Sequence, residues 1–183
     1  MNPSDTLYTL LVYSENTPGL LSQISAIFTR RQVNIESLTA CSSSIPGIHK
    51  YTITCLCSED MVKTLALQIE KRIDVLQARY YTDDELFLLE SALIKVSTPV
   101  MLSNPDVSQI IRFHGGHIIE VNPTYCTMEK TGRTTTILDL YEQLQAAGAV
   151  LQFVRSGRIC ITRDTEEHLD RFLTEREKKR QQL

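Results

Sequence analysis

The chain predicts an α+β protein of two βαββαβ units, each an antiparallel four-stranded sheet with two helices on one face. Three observations carry this expectation. Strand-like and helix-like apolar periods follow one another in the same order twice along the 183 residues. Breaker groups stand where hairpins need them, at Ile45-Pro46-Gly47 and Asn122-Pro123. Helix-start and helix-stop residues bracket the remaining periods, as at Ser58-Glu59-Asp60, His114-Gly115-Gly116 and Gly148.

Thr6 to Tyr13 reads as a strand, and Leu20, Ile24, Ile27 and Phe28 then recur at the spacing of a buried helix face that ends near Arg30-Arg31-Gln32. The loop between them, Ser14 to Leu21, is the candidate ligand site. Thr17 or Asn16 suits an N-cap, Pro18 suits the first helical position, and Gly19 lets the backbone come close to a ligand. Pro18 has no N–H, so the free donors of the first turn fall to Gly19, Leu20 and Leu21 at the positive end of the helix dipole. A small carboxylate would be held well there. A plain capped helix start has the same string, and only its setting favours the ligand reading.

Val33 to Cys41 is the next strand, with Val33, Ile35, Ser37 and Thr39 facing one way and Asn34, Glu36, Leu38 and Ala40 the other. Ile48 to Leu56 follows as a strand. A second helix carries Val62, Leu65, Ala66, Ile69 and Ile73 inward, and Val75 to Tyr81 closes the unit. Thr82-Asp83-Asp84-Glu85 marks a linker or capped turn. The order then repeats: a strand over Ala92 to Ser97, and a helix from Asn104-Pro105 with Val107, Ile110, Ile111 and Phe113 on its apolar side. A hairpin of His117 to Val121 and Thr124 to Lys130 comes next, then a helix over Thr134 to Ala147 with Ile137, Leu138, Tyr141 and Leu144 inward, and a last strand over Ala149 to Val154. From Asp164 the chain turns highly charged, and Glu167, Leu169, Phe172 and Leu173 suggest a terminal helix fraying at Lys178-Lys179-Arg180. The expected domains are residues 1–82, 83–163 and a charged tail at 164–183. Each unit is the ferredoxin-like arrangement. It leaves one sheet face uncovered, so a second copy is expected against that face or an edge.

With 42% hydrophobic residues the chain can form real cores, and a formal net charge of -3 gives no electrostatic footprint for nucleic acid or an anionic membrane. No apolar run approaches the roughly 20 residues that span a bilayer, and the start lacks the pattern of a leader, so a cytoplasmic protein is expected. Five cysteines without framework spacing are read as reduced thiols. Cys55-x-Cys57 near His49 reads as a core or interface thiol pair, and His114-Gly115-Gly116-His117 as a helix end, so no metal site is expected. Arg155-Ser156-Gly157-Arg158 reads as a strand-end turn with solvated arginines. No nucleophile elbow, P-loop, dinucleotide fingerprint or HExxH string occurs, so catalytic residues are expected to be none. An RNA-binding sheet is the competing class, with Tyr8 and Tyr51 as stacking candidates, but the acidic balance and the missing RNP-type string oppose it.

Two strings resemble a known family closely. Glu15-Asn16-Thr17-Pro18-Gly19-Leu20-Leu21-Ser22 is similar to the string opening the first helix in small regulatory subunits of acetohydroxyacid synthase, also called acetolactate synthase, and Val33-Asn34-Ile35-Glu36-Ser37-Leu38-Thr39 resembles their N-I-E-S-L strand. Gly115-Gly116-His117-Ile118-Ile119-Glu120-Val121 and Val154-Arg155-Ser156-Gly157 resemble their C-terminal domain. The likeness runs to about Arg163. It implies an N-terminal ACT domain, an ACT-like second domain, a homodimer, and attachment to a catalytic large subunit that carries thiamine diphosphate, magnesium and FAD, none of them bound by this chain. It further implies that a branched-chain amino acid, valine foremost, binds between two ACT domains. The effector's carboxylate would meet the N–H groups near Gly19 and Leu20 beside Asn16, Pro18 and Leu21, while Asn34 and Ile35 of the neighbouring protomer would meet its ammonium group and side chain. Gln32 stands where the family often has glycine, and Pro18 where serine is common. An ACT-type sensor serving another enzyme is the alternative.

Overall fold

The computed structural model describes residues 5–164 together with Leu169 and Thr174. The chain divides into two compact units, one of Met1–Phe87 with Cys160–Leu183 and one of Leu88–Ile159. The change of unit lies inside a strand, just past the turn at residues 83–85 where the sequence suggests a linker. The terminal helix expected after Asp164 lies, Leu169 and Thr174 apart, outside the described residues.

In the first unit the order is β1 (Thr6–Glu15), α1 (Leu20–Arg30), β2 (Ser37–Ser42), β3 (Ile48–Cys57), α2 (Glu59–Glu70) and β4 (Val75–Tyr81). The strands lie in the order β2-β3-β1-β4, all antiparallel neighbours. Leu20, Ile24, Ile27 and Phe28 from α1 and Val62, Leu65 and Ile69 from α2 bury against Leu10, Val12, Ile53 and Cys55. That is the outcome their three-and-four spacing predicts. Ser58 caps α2, its hydroxyl accepting from the Met61 N–H at 3.4 Å. At the β2–β3 turn Gly47 takes φ 79°, and the Ile48 N–H closes back on the Ile45 carbonyl at 3.2 Å.

Three expectations for this unit are corrected. Ile73 is 99% exposed rather than inward, because α2 stops at Glu70 and Ile73 falls in the turn beyond it. The second strand begins at Ser37, not Val33: the Val33 N–H bonds back to the Phe28 carbonyl at 3.1 Å, so Val33 and Ile35 wrap the end of α1. With strict alternation lost at Glu36, Val33, Ile35 and Leu38 all pack on the same core. The face of the sheet away from the helices is also not open, since Thr9, Leu11, Tyr13, Thr52, Thr54 and Gln77 are all buried.

The second unit runs β5 (Leu86–Ser97), α3 (Thr98–Ser103), α4 (Pro105–Phe113), β6 (His117–Val121), β7 (Tyr125–Gly132), α5 (Thr134–Ala146) and β8 (Val150–Arg155). Its strands are ordered β6-β7-β5-β8, and a short β9 (Ile159–Thr162) also pairs with β5. The turn before β5 is a 3-10 turn at Asp83–Glu85, held by a capping box in which Glu85 accepts from the Thr82 N–H at 2.8 Å. Phe113 is 84% exposed, not on the apolar side, because it falls off the stripe of Val107, Ile110 and Ile111, and it rests edge-on against His114. In α5 the deeply buried residue is Leu140 beside Ile137 and Leu144, whereas Tyr141 is half-buried and stacks on Phe153 with ring centres 4.3 Å apart. At Gly116 a Cβ would stand on the terminal methyl of Met128, so any other residue there would require that side chain to shift. Among the described residues no helix is long and apolar enough to cross a membrane.

Candidate functional site

The loop from Glu15 to Gly19 joins the centre of the first sheet to α1. Its position is fixed from both sides: the Glu15 N–H bonds the Asp74 carbonyl at 2.8 Å, and the Asn16 N–H bonds the Gly47 carbonyl at 3.1 Å. The loop therefore abuts the turn between β2 and β3. Asn16, Thr17, Pro18 and Gly19 are all exposed.

Neither Thr17 nor Asn16 caps the helix, and Pro18 lies outside it. The N-cap is Gly19, at φ 85° and ψ -6°, with no side-chain hydrogen bond onto the first turn. A residue with a Cβ would have to enter the left-handed region here, which costs roughly 1–2 kcal/mol. The space around Gly19 is otherwise empty, so the requirement is conformational and not steric. Leu20 is wholly buried and its N–H goes to the Thr17 carbonyl at a long 3.4 Å. That removes one of the three donors expected to be free. Gly19 and Leu21 remain on the outer side, and no acidic side chain stands in the first turn. What is left is a short cradle of N–H groups at a positive helix end, open to solvent.

Asn34 and Ile35 stand elsewhere. Asn34 is exposed, and Ile35 is half-buried against the core of its own unit. Glu36, just after them, is tied to the Thr54 carbonyl at 2.8 Å, whereas Glu15 is paired with Ile48 at the other end of the same strand. The stretch of β3 from Ile48 to Thr54 spans about 20 Å at the ordinary strand rise. One chain thus holds the two halves of the candidate site at opposite ends of its sheet. Between them runs β2, an edge strand with exposed Ala40, Cys41 and Ser42.

Cys55 and Cys57 sit with their sulfurs 3.8 Å apart in the core, and burial pushes both thiols above their ordinary pKa. His49 lies toward the far end of that strand, 3.4 Å from the Ser42 hydroxyl. Among the described residues no group of three or more His, Cys, Asp or Glu could hold a metal ion. Arg155 stands exposed at the end of β8, as the sequence suggests, but it is paired. Its Nη1 donates to Oε1 of the buried Glu90 at 3.0 Å, and Arg158 is buried as well. No local signal in the sequence links positions 90 and 155.

The first unit matches the model of the ACT domain over residues 8–74, and the model of the small subunit of acetolactate synthase matches residues 89–164. The chain is 30% identical over 156 residues to the acetolactate synthase small subunit of Mycobacterium leprae, a match covering 85% of this chain and 91% of that one. It is 29% identical over 163 residues to the probable acetolactate synthase small subunit of Methanothermobacter thermautotrophicus, covering 89% and 95% respectively. The crystal structure of the acetolactate synthase small subunit from Thermotoga maritima shares the fold with a TM-score of 0.78 at 22% identity, over 87% of this chain and 99% of that one.

Proposed function

We propose, from the premise that the chain belongs to the acetolactate synthase small-subunit family, that it activates a catalytic large subunit and makes it sensitive to branched-chain amino acids, valine foremost. The chain acts as a non-catalytic homodimer. Thiamine diphosphate, magnesium and FAD belong to the catalytic partner.

The observation that carries this reading is the separation of Gly19 from Asn34 across the sheet. A second copy closes the gap. If two β2 edges pair antiparallel about a two-fold axis, the Ser37 end of one strand meets the Ser42 end of the other, which lies beside the turn that touches Asn16. Asn34 of one protomer then approaches the Gly19 cradle of its partner. The effector's carboxylate rests on the N–H groups of Gly19 and Leu21, with Asn16, Pro18 and the Leu20 backbone shaping the loop. Asn34 takes the ammonium group, and the exposed part of Ile35 meets the aliphatic side chain.

The energies suffice. An effector sensed at about 0.1 mM needs roughly 5.5 kcal/mol. Two or three charge-assisted hydrogen bonds at about 1.5–3 kcal/mol each, with a few buried methyl groups, reach that after ordering costs. Binding across the dimer favours one arrangement of the protomers and so biases the attached catalytic subunits, a coupling of typically about 1–3 kcal/mol.

The test is reconstitution with the cognate thiamine-dependent subunit and an assay of acetolactate formation with and without valine. Activation by the chain and inhibition by valine are expected. Asn34→Ala and Gly19→Val should each raise the half-inhibitory valine concentration at least tenfold while activation persists. Unchanged inhibition in both variants would reject the site.

A further inference from the structure

The outer side of β4 and one stripe of α2 bound an open groove of about 350 Å³. Its strand wall is Ala78, Arg79, Tyr80 and Tyr81. Register puts these four on alternate faces of the sheet: Ala78 and Tyr80 lie opposite the core residues Val12 and Leu10, whereas Arg79 lies opposite Leu11 and Tyr81 opposite Thr9. Consecutive residues from both faces can line one groove through what they share, the backbone edge of the strand. β4 is the last strand of its sheet, and among the described residues its one neighbour is β1. On such a strand every second N–H and C=O turns away from the sheet, ready for another strand.

The helix wall is Lys63, Ala66, Leu67 and Glu70, a single stripe of α2 at the three-and-four spacing. A short turn, residues 71–74, joins α2 to β4, so the two run antiparallel, with Lys63 at the Tyr81 end of the groove and Glu70 at the Ala78 end. The walls agree in length. From Lys63 to Glu70 the helix rises about 10.5 Å, and from Ala78 to Tyr81 the strand advances about 10 Å. Leu67 is 53% exposed midway along the stripe, and the buried Ala66 and Ala78 leave room beside it. The groove is thus apolar at its middle, cationic at one end and anionic at the other.

We infer that the β4 edge receives an extended segment of the catalytic large subunit, with a carboxylate side chain against Lys63, an aliphatic side chain over Leu67 and a cationic one against Glu70. This rests on the reading of the chain as a homodimer attached to that subunit. The segment's backbone supplies hydrogen bonds to β4, and the two charges set its direction. A second copy is the wrong occupant. Pairing of the β2 edges already joins two protomers and leaves a β4 edge at each end of the joined sheet; pairing those as well would extend the sheet from dimer to dimer without closure. A strand from a different chain ends it.

The test is amide hydrogen exchange of the full chain, alone and with its purified large subunit, together with the affinity of variants for that subunit. Peptides covering Ala78 to Tyr81 should exchange at least tenfold more slowly in the complex. Leu67→Asp and Lys63→Glu, both at exposed helix positions, should each weaken binding at least tenfold. Ile73→Asp, at an exposed apolar residue just past the same helix and outside the groove, should leave it unchanged. Protection confined to other segments, or full affinity in both groove variants, overturns the inference and leaves the attachment itself standing. Failure of the unaltered chain to bind the large subunit removes both. Protection of Ala78 to Tyr81 that grows with the concentration of the chain alone would give the edge to a second copy, against the inference. Should a variant lose its far-ultraviolet circular dichroism, the exchange of the unaltered chain decides by itself.

Discussion

Gly19 and Val100 occupy the same place in the two units, each directly after a Thr-Pro pair that leaves the central strand, and only Gly19 is without a side-chain cap beside it. The Val100 N–H is taken by the Ser97 hydroxyl at 3.5 Å. The sequence suggests Asn104-Pro105 as the start of the second unit's first helix. The structure moves it to α3, one helix earlier. Both starts are closed to a ligand, since Asn104 Oδ1 accepts from the Asp106 N–H at 3.1 Å. Valine titration calorimetry on the isolated chain should therefore give no more than one site per protomer, and Gly19→Val should remove it. A second set of sites, or binding that survives Gly19→Val, would contradict this.

Glu90 and Arg155 make an asymmetric pair: the glutamate side chain is 3% exposed and the arginine side chain 37%. Removing the arginine leaves a buried charge alone, and removing the glutamate leaves an arginine that water can reach. Arg155→Ala should thus destabilise the second unit by about 3 kcal/mol, and Glu90→Leu by clearly less. Chemical denaturation of the two single variants and the double variant checks the order. Equal losses would mean that the carboxylate finds another partner.

Gln32 is the one non-glycine residue with positive φ among the described residues, at 54°, immediately after α1. Family resemblance marks this position as one where glycine is common, and the backbone shows why, since the turn demands the left-handed region whichever residue fills it. Gln32→Gly should stabilise the first unit by up to about 1 kcal/mol, a rise in Tm of a few degrees in differential scanning calorimetry. A fall in Tm would mean that the glutamine side chain contributes contacts that outweigh its strain.

Where periodicity is long, the sequence predicts burial closely: Leu20, Ile24, Ile27 and Phe28 all turn inward. Ile73 fails because an apolar period carries no mark of where its helix stops, whereas Phe113, six residues after Val107, falls off the stripe of Val107, Ile110 and Ile111. The α3 helix, at six residues, is too short to show a period, and Leu86-Phe87-Leu88-Leu89 conceals the start of β5 because uniformly apolar residues show no alternation. The residue types of the loop at Gly19 are legible. Which one caps the helix is not, because that depends on a backbone angle. Contacts between distant positions, Glu90 with Arg155 or Lys50 with the Cys160 carbonyl, leave no local trace at all.

Cys55 and Cys57 supply a prediction in pH. Burial disfavours the thiolate and is the first cause of the rise at both, and at Cys55 the neighbouring Cys57 adds to it. The folded pKa thus lies above the ordinary thiol value of 9.0. An unfolded chain releases these protons near pH 9 while the folded chain still holds them. Their contribution is therefore complete below that pH and declines as pH rises toward the folded pKa. Each thiol adds a slope of about 1.4 kcal/mol per pH unit once the unfolded form is ionised. Urea denaturation at pH 7.5, 9 and 10.5 should show stability level at first and then falling, with a shallower fall for Cys55→Ala after its lower baseline is subtracted. An identical slope in that variant would mean that Cys55 ionises in the folded protein as readily as in the unfolded one.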